Sequence, residues 1–143
     1  MSQPHSNCRV ASPATLAALQ LEDARVQQLA LPQLELSEAA PFLFEVDIVG
    51  LPTVVHMEPY SVRSDDFVLL VQGEDGETRE VEAPAPTTYR GWVDGYSHSL
   101  VAGSLRDGQL TAEIRLAPDL PPFGIEPLSE LEPAAPRDAH VVY

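Results

Sequence analysis

The chain contains no lysine. Its eight cations are all arginine and face 22 carboxylates, giving a formal net charge of -14 and an isoelectric point near 4.4. A surface this acidic is repelled by phosphate backbones, which excludes a nucleic-acid partner and makes a basic protein surface the better electrostatic match. There is a single cysteine, Cys8, so neither an intramolecular disulfide nor an all-cysteine metal site can form. No run approaches the ~20 apolar residues that a membrane-spanning helix needs. Residues 1–10 lack the cationic start and apolar core of a secretory signal. No membrane span is expected, and no export signal is visible in this stretch.

What is present fits one folded domain. At 143 residues and 44% hydrophobic, the chain is long and apolar enough to bury a core. Residues 1–12 are polar and aperiodic, and are expected to form a disordered leader. A helix is expected over 13–32, with Ser12 as N-cap, Pro13 at the first helical position, and Leu16, Leu19, Val26 and Leu29 near helical spacing. Pro32 closes it.

Near Pro41 the period changes to two. Phe42, Phe44, Val46 and Ile48 alternate with Leu43, Glu45 and Asp47, the pattern of a strand with one wet face. Further strands are expected over 53–57, 67–72, 78–82, 88–93, 100–105 and 110–116. Glu74–Asp75–Gly76 and Arg106–Asp107–Gly108–Gln109 supply hairpin turns. Prolines 118, 121, 122, 127, 133 and 136 suggest a surface tail with little regular structure. The expected fold is mainly β, an antiparallel β-sandwich or open barrel of about seven strands, with a short N-terminal helix and a Pro-rich C-terminal tail.

Catalytic patterns are scarce. His5, His56, His98 and His140 form no His-Glu-x-x-His pair, and His56 reads as an outward-facing strand residue. Ser97 and Ser99 flank His98, but adjacent residues of an extended chain face opposite ways, and the Gly-x-Ser-x-Gly elbow is absent. The carboxylates are spread over turns and outward faces. Gly91, Gly95, Gly103 and Gly108 do not follow a phosphate-cradling spacing. Thiolate is a good zinc ligand, and Arg9 beside Cys8 would favour it. The plainer reading of Cys8 is an incidental side chain in the leader. No catalytic, cofactor or metal residue is expected in this chain.

One stretch does carry a motif. Tyr89, Gly91, Val93 and Gly95 form Tyr-x-Gly-x-Val-x-Gly, followed by Ser99, Val101, Ala102, Ser104 and Leu105 in Ser-x-Val-Ala-x-Ser-Leu, with Gly108 at the next hairpin. Ile125–Glu126–Pro127–Leu128 and a closing His140-x-x-Tyr143 follow in order. Together these resemble the propeptide domain of the reprolysin/adamalysin (ADAM-type) zinc metallopeptidases, over roughly residues 40–143. Tyr89 and Val93 share a strand face, so an aromatic and a branched side chain can enter one core layer, with Gly91 leaving room between them.

The resemblance implies a non-catalytic, secreted prodomain that inhibits and chaperones a metalloprotease catalytic domain of the same precursor. Zinc would be held by that downstream domain, and docking would use the acidic surface or the Pro-rich tail. Animal members often carry cysteines at positions matching Thr87 and Arg106, so that bridge is missing here. The family's inhibitory cysteine lies past the His-x-x-Tyr segment, and Cys8 is not assigned its role. The alternative is a free-standing β-sandwich binding module for protein or carbohydrate, with Tyr60, Trp92 and Tyr96 as a stacking platform.

Overall fold

The computed structural model describes residues 8–34 and 38–143. Most of the leader, residues 1–7, lies outside them. The elements run β1 (Arg9–Val10), α1 (Pro13–Leu19), β2 (Arg25–Gln28), β3 (Phe42–Ile48), β4 (Leu51–Pro59), β5 (Leu69–Gln72), β6 (Thr78–Val81), β7 (Thr88–Val93), β8 (Tyr96–Arg106), β9 (Gln109–Arg115), β10 (Phe123–Pro127) and β11 (Ala139–Val142). Nine strands form one curled antiparallel sheet, a half-barrel, in the order β1-β2-β11-β10-β9-β8-β7-β4-β3. Among the described residues, β5 and β6 pair only with each other. The mainly β expectation holds, in its barrel-like form.

The alternating strands sit where their periods put them. Phe44, Val46 and Ile48 of β3, Val55 and Met57 of β4, and Tyr89 and Val93 of β7 are buried in the concave core. Val101, Leu110, Ile114 and Ile125 complete that layer from the next three strands. Asp107 and Gly108 take φ of 52° and 74°, and Arg106 pairs with Gln109, as a two-residue Asp-Gly hairpin requires. Val49–Gly50 makes the same kind of turn between β3 and β4, with φ of 53° and 79°. A β-branched residue there is strained, which explains why the sequence did not signal this hairpin.

Three expectations need correction. The helix covers only 13–19, not 13–32: Ser12 Oγ accepts from the Thr15 N–H at 3.2 Å, Pro13 stands at its start, and Gln20 ends it in the left-handed region. Val26 belongs to β2, whose pairing with both β1 and β11 outweighs its helical spacing, and Leu29 follows directly, its N–H donating to Asp138 O at 2.9 Å. Within the leader, Arg9–Val10 is a strand paired to β2. The Pro-rich tail leads into β10 and β11, which lie inside the sheet, so the strands among the described residues number eleven rather than about seven. Its prolines fall in the links and at the end of β10, where a missing N–H costs no ladder bond.

A second apolar layer covers the outer face of this end of the sheet. Ala11, Ala24, Val26, Leu128, Ala139 and Val141 are buried there, with Leu16 and Leu19 of α1 against them. β11 is therefore buried on both faces: Val142 joins the concave core and Val141 the layer under the helix.

The curl of the sheet brings β2 against β3, and one side chain bridges the seam. The buried Gln27 carboxamide donates to Asp47 C=O and accepts from Asp47 N–H, both at 2.7 Å. It satisfies the edge of β3 as a neighbouring strand would. Gln27→Ala is expected to lower stability by about 1–3 kcal/mol by leaving both groups unmatched. Gln27→Glu should cost more at neutral pH, since a carboxylate then faces Asp47 C=O. Urea denaturation of the three proteins checks the ranking.

Candidate functional site

The motif residues are spent on the fold. Tyr89, Gly91 and Val93 lie on β7, Gly95 in the β7–β8 turn with φ of 82°, and Ser99, Val101, Ala102, Ser104 and Leu105 on β8. Gly108 turns into β9, Ile125, Glu126 and Pro127 lie on β10, Leu128 begins a single 3-10 turn, and His140 and Tyr143 lie on and just after β11. These segments lie in one sheet as two pairs of strands, β7–β8 and β10–β11, on either side of β9, and Tyr89, Val93, Val101, Leu105, Ile125, Leu128 and His140 are all buried.

Their spacing has local causes. A Cβ on Gly91 would stand 1.7 Å from the His56 carbonyl oxygen, so β4 and β7 can approach only because the side chain is absent. Opposite Trp92, β8 carries extra residues, and Ser99 holds that irregularity: its Oγ accepts from Val93 N–H at 2.8 Å and donates to Tyr96 O at 2.6 Å. That hydroxyl is committed to backbone. The Tyr143 ring lies over Gly124, where a Cβ would fall 2.5 Å from a ring carbon. The two residues exchange backbone hydrogen bonds at 2.7 and 3.0 Å. Gly124 was not singled out in the sequence, because its partner is nineteen positions away.

His140 is fully buried and structural. Its Nε2 accepts from Leu110 N–H at 3.0 Å and its Nδ1 lies 2.9 Å from Asp138 O. The first contact puts the proton on Nδ1, so the ring is held neutral. Burial pushes its pKa below the ordinary histidine range, with the Asp138 carbonyl and carboxylate opposing. Glu132 accepts from Thr15 Oγ1 at 2.6 Å and Ser12 Oγ at 3.0 Å, tying the helix start to the C-terminal segment. The Thr15 bond first, then that from Ser12, lowers its pKa.

The remaining candidates lie on the surface. His56 faces outward and stacks on Trp92, with centroids 5.0 Å apart and planes 5° from parallel. Its Nε2 lies 2.8 Å from Asp94 Oδ1 but off the N–H axis, so the contact is not an aligned hydrogen bond. The Arg90 guanidinium sits 3.7 Å over the Tyr60 ring. Two of the three aromatics expected to form a stacking platform thus already have a protein group on one face. Cys8 lines the seam cavity with Asp47 and Arg25. Burial first, then Asp47, raises its thiol pKa against the pull of Arg25, contrary to the expectation that a neighbouring cation favours thiolate.

The largest unaccounted feature is an arm, residues 61–86, between the adjacent strands β4 and β7. Its neck is closed: Tyr60 N–H donates to Thr88 O at 2.9 Å and Thr88 Oγ1 donates to Tyr60 O. Arg63 spans the base, donating to Pro84 O at 2.6 Å and lying over the Phe67 ring. None of residues 61–86 is buried, yet they include Val62, Phe67, Val68, Leu70, Val71 and Val81. The sequence announced the hairpin but not that it stands apart. Five consecutive apolar residues, 67–71, between the acidic pairs Asp65–Asp66 and Glu74–Asp75 were the available signal.

Among the described residues, no three His, Cys, Asp or Glu side chains cluster closely enough to hold a metal ion, and no helix is long and apolar enough to cross a membrane.

Two measurements test this account. Gly91→Ala should cost about 3 kcal/mol or more by forcing β4 and β7 apart, whereas Gly50→Ala, with open space at its Cβ, should cost only about 1 kcal/mol of backbone strain. For His140, the folded state resists a proton that the unfolded chain accepts. Stability is therefore full above about pH 6.5 and falls as the pH drops below it, by at most about 1.4 kcal/mol per unit. Thermal melts between pH 7.5 and 5 read this loss ahead of carboxylate protonation. A flat profile would contradict the neutral-ring assignment. The chain matches no protein-family model and no curated protein.

Proposed function

We propose that this chain is the prodomain of a secreted zinc metalloprotease of the reprolysin/adamalysin type. It performs no chemistry itself, holds the catalytic domain of the same precursor inactive, and helps that domain fold. One observation carries the reading. The segments bearing the resemblance, residues 89–108, 125–128 and 140–143, are separated in sequence but lie on β7, β8, β10 and β11 of one sheet, and put Tyr89, Val93, Val101, Leu105, Ile125 and Val142 into its core. Surface charge and the projecting arm are left for a partner.

The mechanism is binding. A module that binds a native catalytic domain shifts that domain's folding equilibrium toward the native state, and the same contact obstructs its substrate cleft. Linkage in one precursor raises the effective concentration of the partner to about millimolar, so a modest contact suffices before the linker is cut. Docking falls to the acidic outer surface, because the Pro-rich segment considered as a docking tail is tied into the sheet through β10. Zinc belongs to the catalytic domain.

The experiment begins with the reading frame past Tyr143. A His-Glu-x-x-His-x-x-Gly-x-x-His helix is expected within a few hundred residues. Added in trans, the 143-residue chain should lower the peptidase activity of that catalytic domain and raise its refolding yield. Unchanged activity and yield would remove the reading, and glycan binding through the Trp92 face would favour the free-standing module instead.

A further inference from the structure

We infer that the arm is the docking element, and that its partner is a protein surface with an apolar centre ringed by lysine and arginine. This rests on the prodomain reading, which supplies the partner: the catalytic domain of the same precursor.

The fold does not need the arm. β4 and β7 pair directly, from Val55–Val93 to Pro59–Tyr89, and the neck hydrogen bonds at Tyr60 and Thr88 complete that ladder. A short turn would satisfy the same connection, so the residues between contribute nothing to the concave core. They form a two-stranded hairpin that pairs with no other strand, and such a hairpin alone is marginal in water. A groove of about 360 Å³ separates its base, at Arg63 and Pro84, from the β8–β9 hairpin.

The composition of the arm is what a partner would use. Cross-strand pairing puts Leu69, Val71 and Val81 on one face and Leu70 with Glu80 on the other. Leu70 is 57% and Val71 47% exposed. An isolated apolar side chain at a surface needs no explanation, but a contiguous group rimmed by polar residues marks an interaction surface. The rim has one sign. Residues 61–86 hold seven carboxylates and two arginines, and Arg79 is already paired with Asp75 at 3.2 Å.

That charge selects the occupant. A second copy of the chain would bring seven carboxylates against seven, and an anionic lipid surface would be repelled as well. A cationic rim around an apolar centre satisfies both features at once. Burial of the central aliphatic side chains supplies affinity, and the carboxylates supply orientation and rate of encounter.

The test uses the 143-residue chain and the catalytic domain encoded in the same frame. Leu70→Ser combined with Val71→Ser should weaken binding and inhibition at least about tenfold, with the melting temperature of the chain unchanged. Glu77→Gln, Glu80→Gln and Glu82→Gln together should slow association and flatten its salt dependence. Leu100→Ser, exposed on the main sheet, should change neither. Backbone amides 67–82 should gain hydrogen-exchange protection in the complex. If the wild-type chain binds but the arm variants bind equally well, the arm assignment is wrong and the prodomain reading survives. If the wild-type chain fails to bind the catalytic domain, or none is encoded, both fall. Sedimentation showing a dimer that the Leu70/Val71 pair of substitutions dissolves would give the surface to a second copy and overturn the proposal.

Discussion

Four residues, Ala139–Val142, hold the two ends of this molecule in one sheet. β11 pairs with β2 on one side and β10 on the other, so β1, β2 and, through them, the helix attach to the body by way of it. Both of its faces are buried, Val142 in the concave core and Val141 beneath α1. His140 adds a cross-link within the sheet by accepting from Leu110 N–H on β9. A strand this short supplies few ladder bonds, and its hold comes from double-sided burial. Val141 and Val142, removed from water there, contribute about 1.5–3 kcal/mol each, and a charged ring at His140 would have no solvent to face.

Under the proposed function, stability and recognition are kept in different parts of the chain. Of the motif residues, Tyr89, Val93, Val101, Leu105 and Ile125 belong to the core, and Ser99 and His140 bond to backbone inside the domain. Ser99 is an example: in sequence it stands beside a histidine as if for catalysis, and in the fold it binds the backbone of a strand irregularity. The acidic arm shows the opposite economy, with apolar side chains in water and no part in the core. Under the proposed function this separation lets the docking element change without unfolding the module that carries it.

Legibility followed distance along the chain. β3 and β7 were readable to the residue, because their period of two runs unbroken and the punctuation beside them is local. The N-terminal helix was readable at its start, where Ser12 and Pro13 act within one turn. Its end was not, because Val26 fits a helical spacing and is claimed instead by strands β1 and β11, the latter over a hundred residues away. β10 and β11 were hidden by prolines that mark irregular chain in most settings and here occupy links and a strand end. The glycine-rich motif was visible as a pattern. The reason for Gly91, a carbonyl of β4 lying where its side chain would be, was not.

The sequence by itself determined the class of fold, the one-signed charge of the surface and the alternation that sorts each long strand into a wet and a buried face. These depend on residue type and on neighbours two to four positions apart. The tertiary structure alone decided the order of the strands, the seam closed by Gln27, the neutral His140 and the exposure of the arm. Each of those is set by which groups are left to satisfy a backbone amide or cover an apolar face once the sheet has curled. That accounting is made in space, between residues with no local signal of one another.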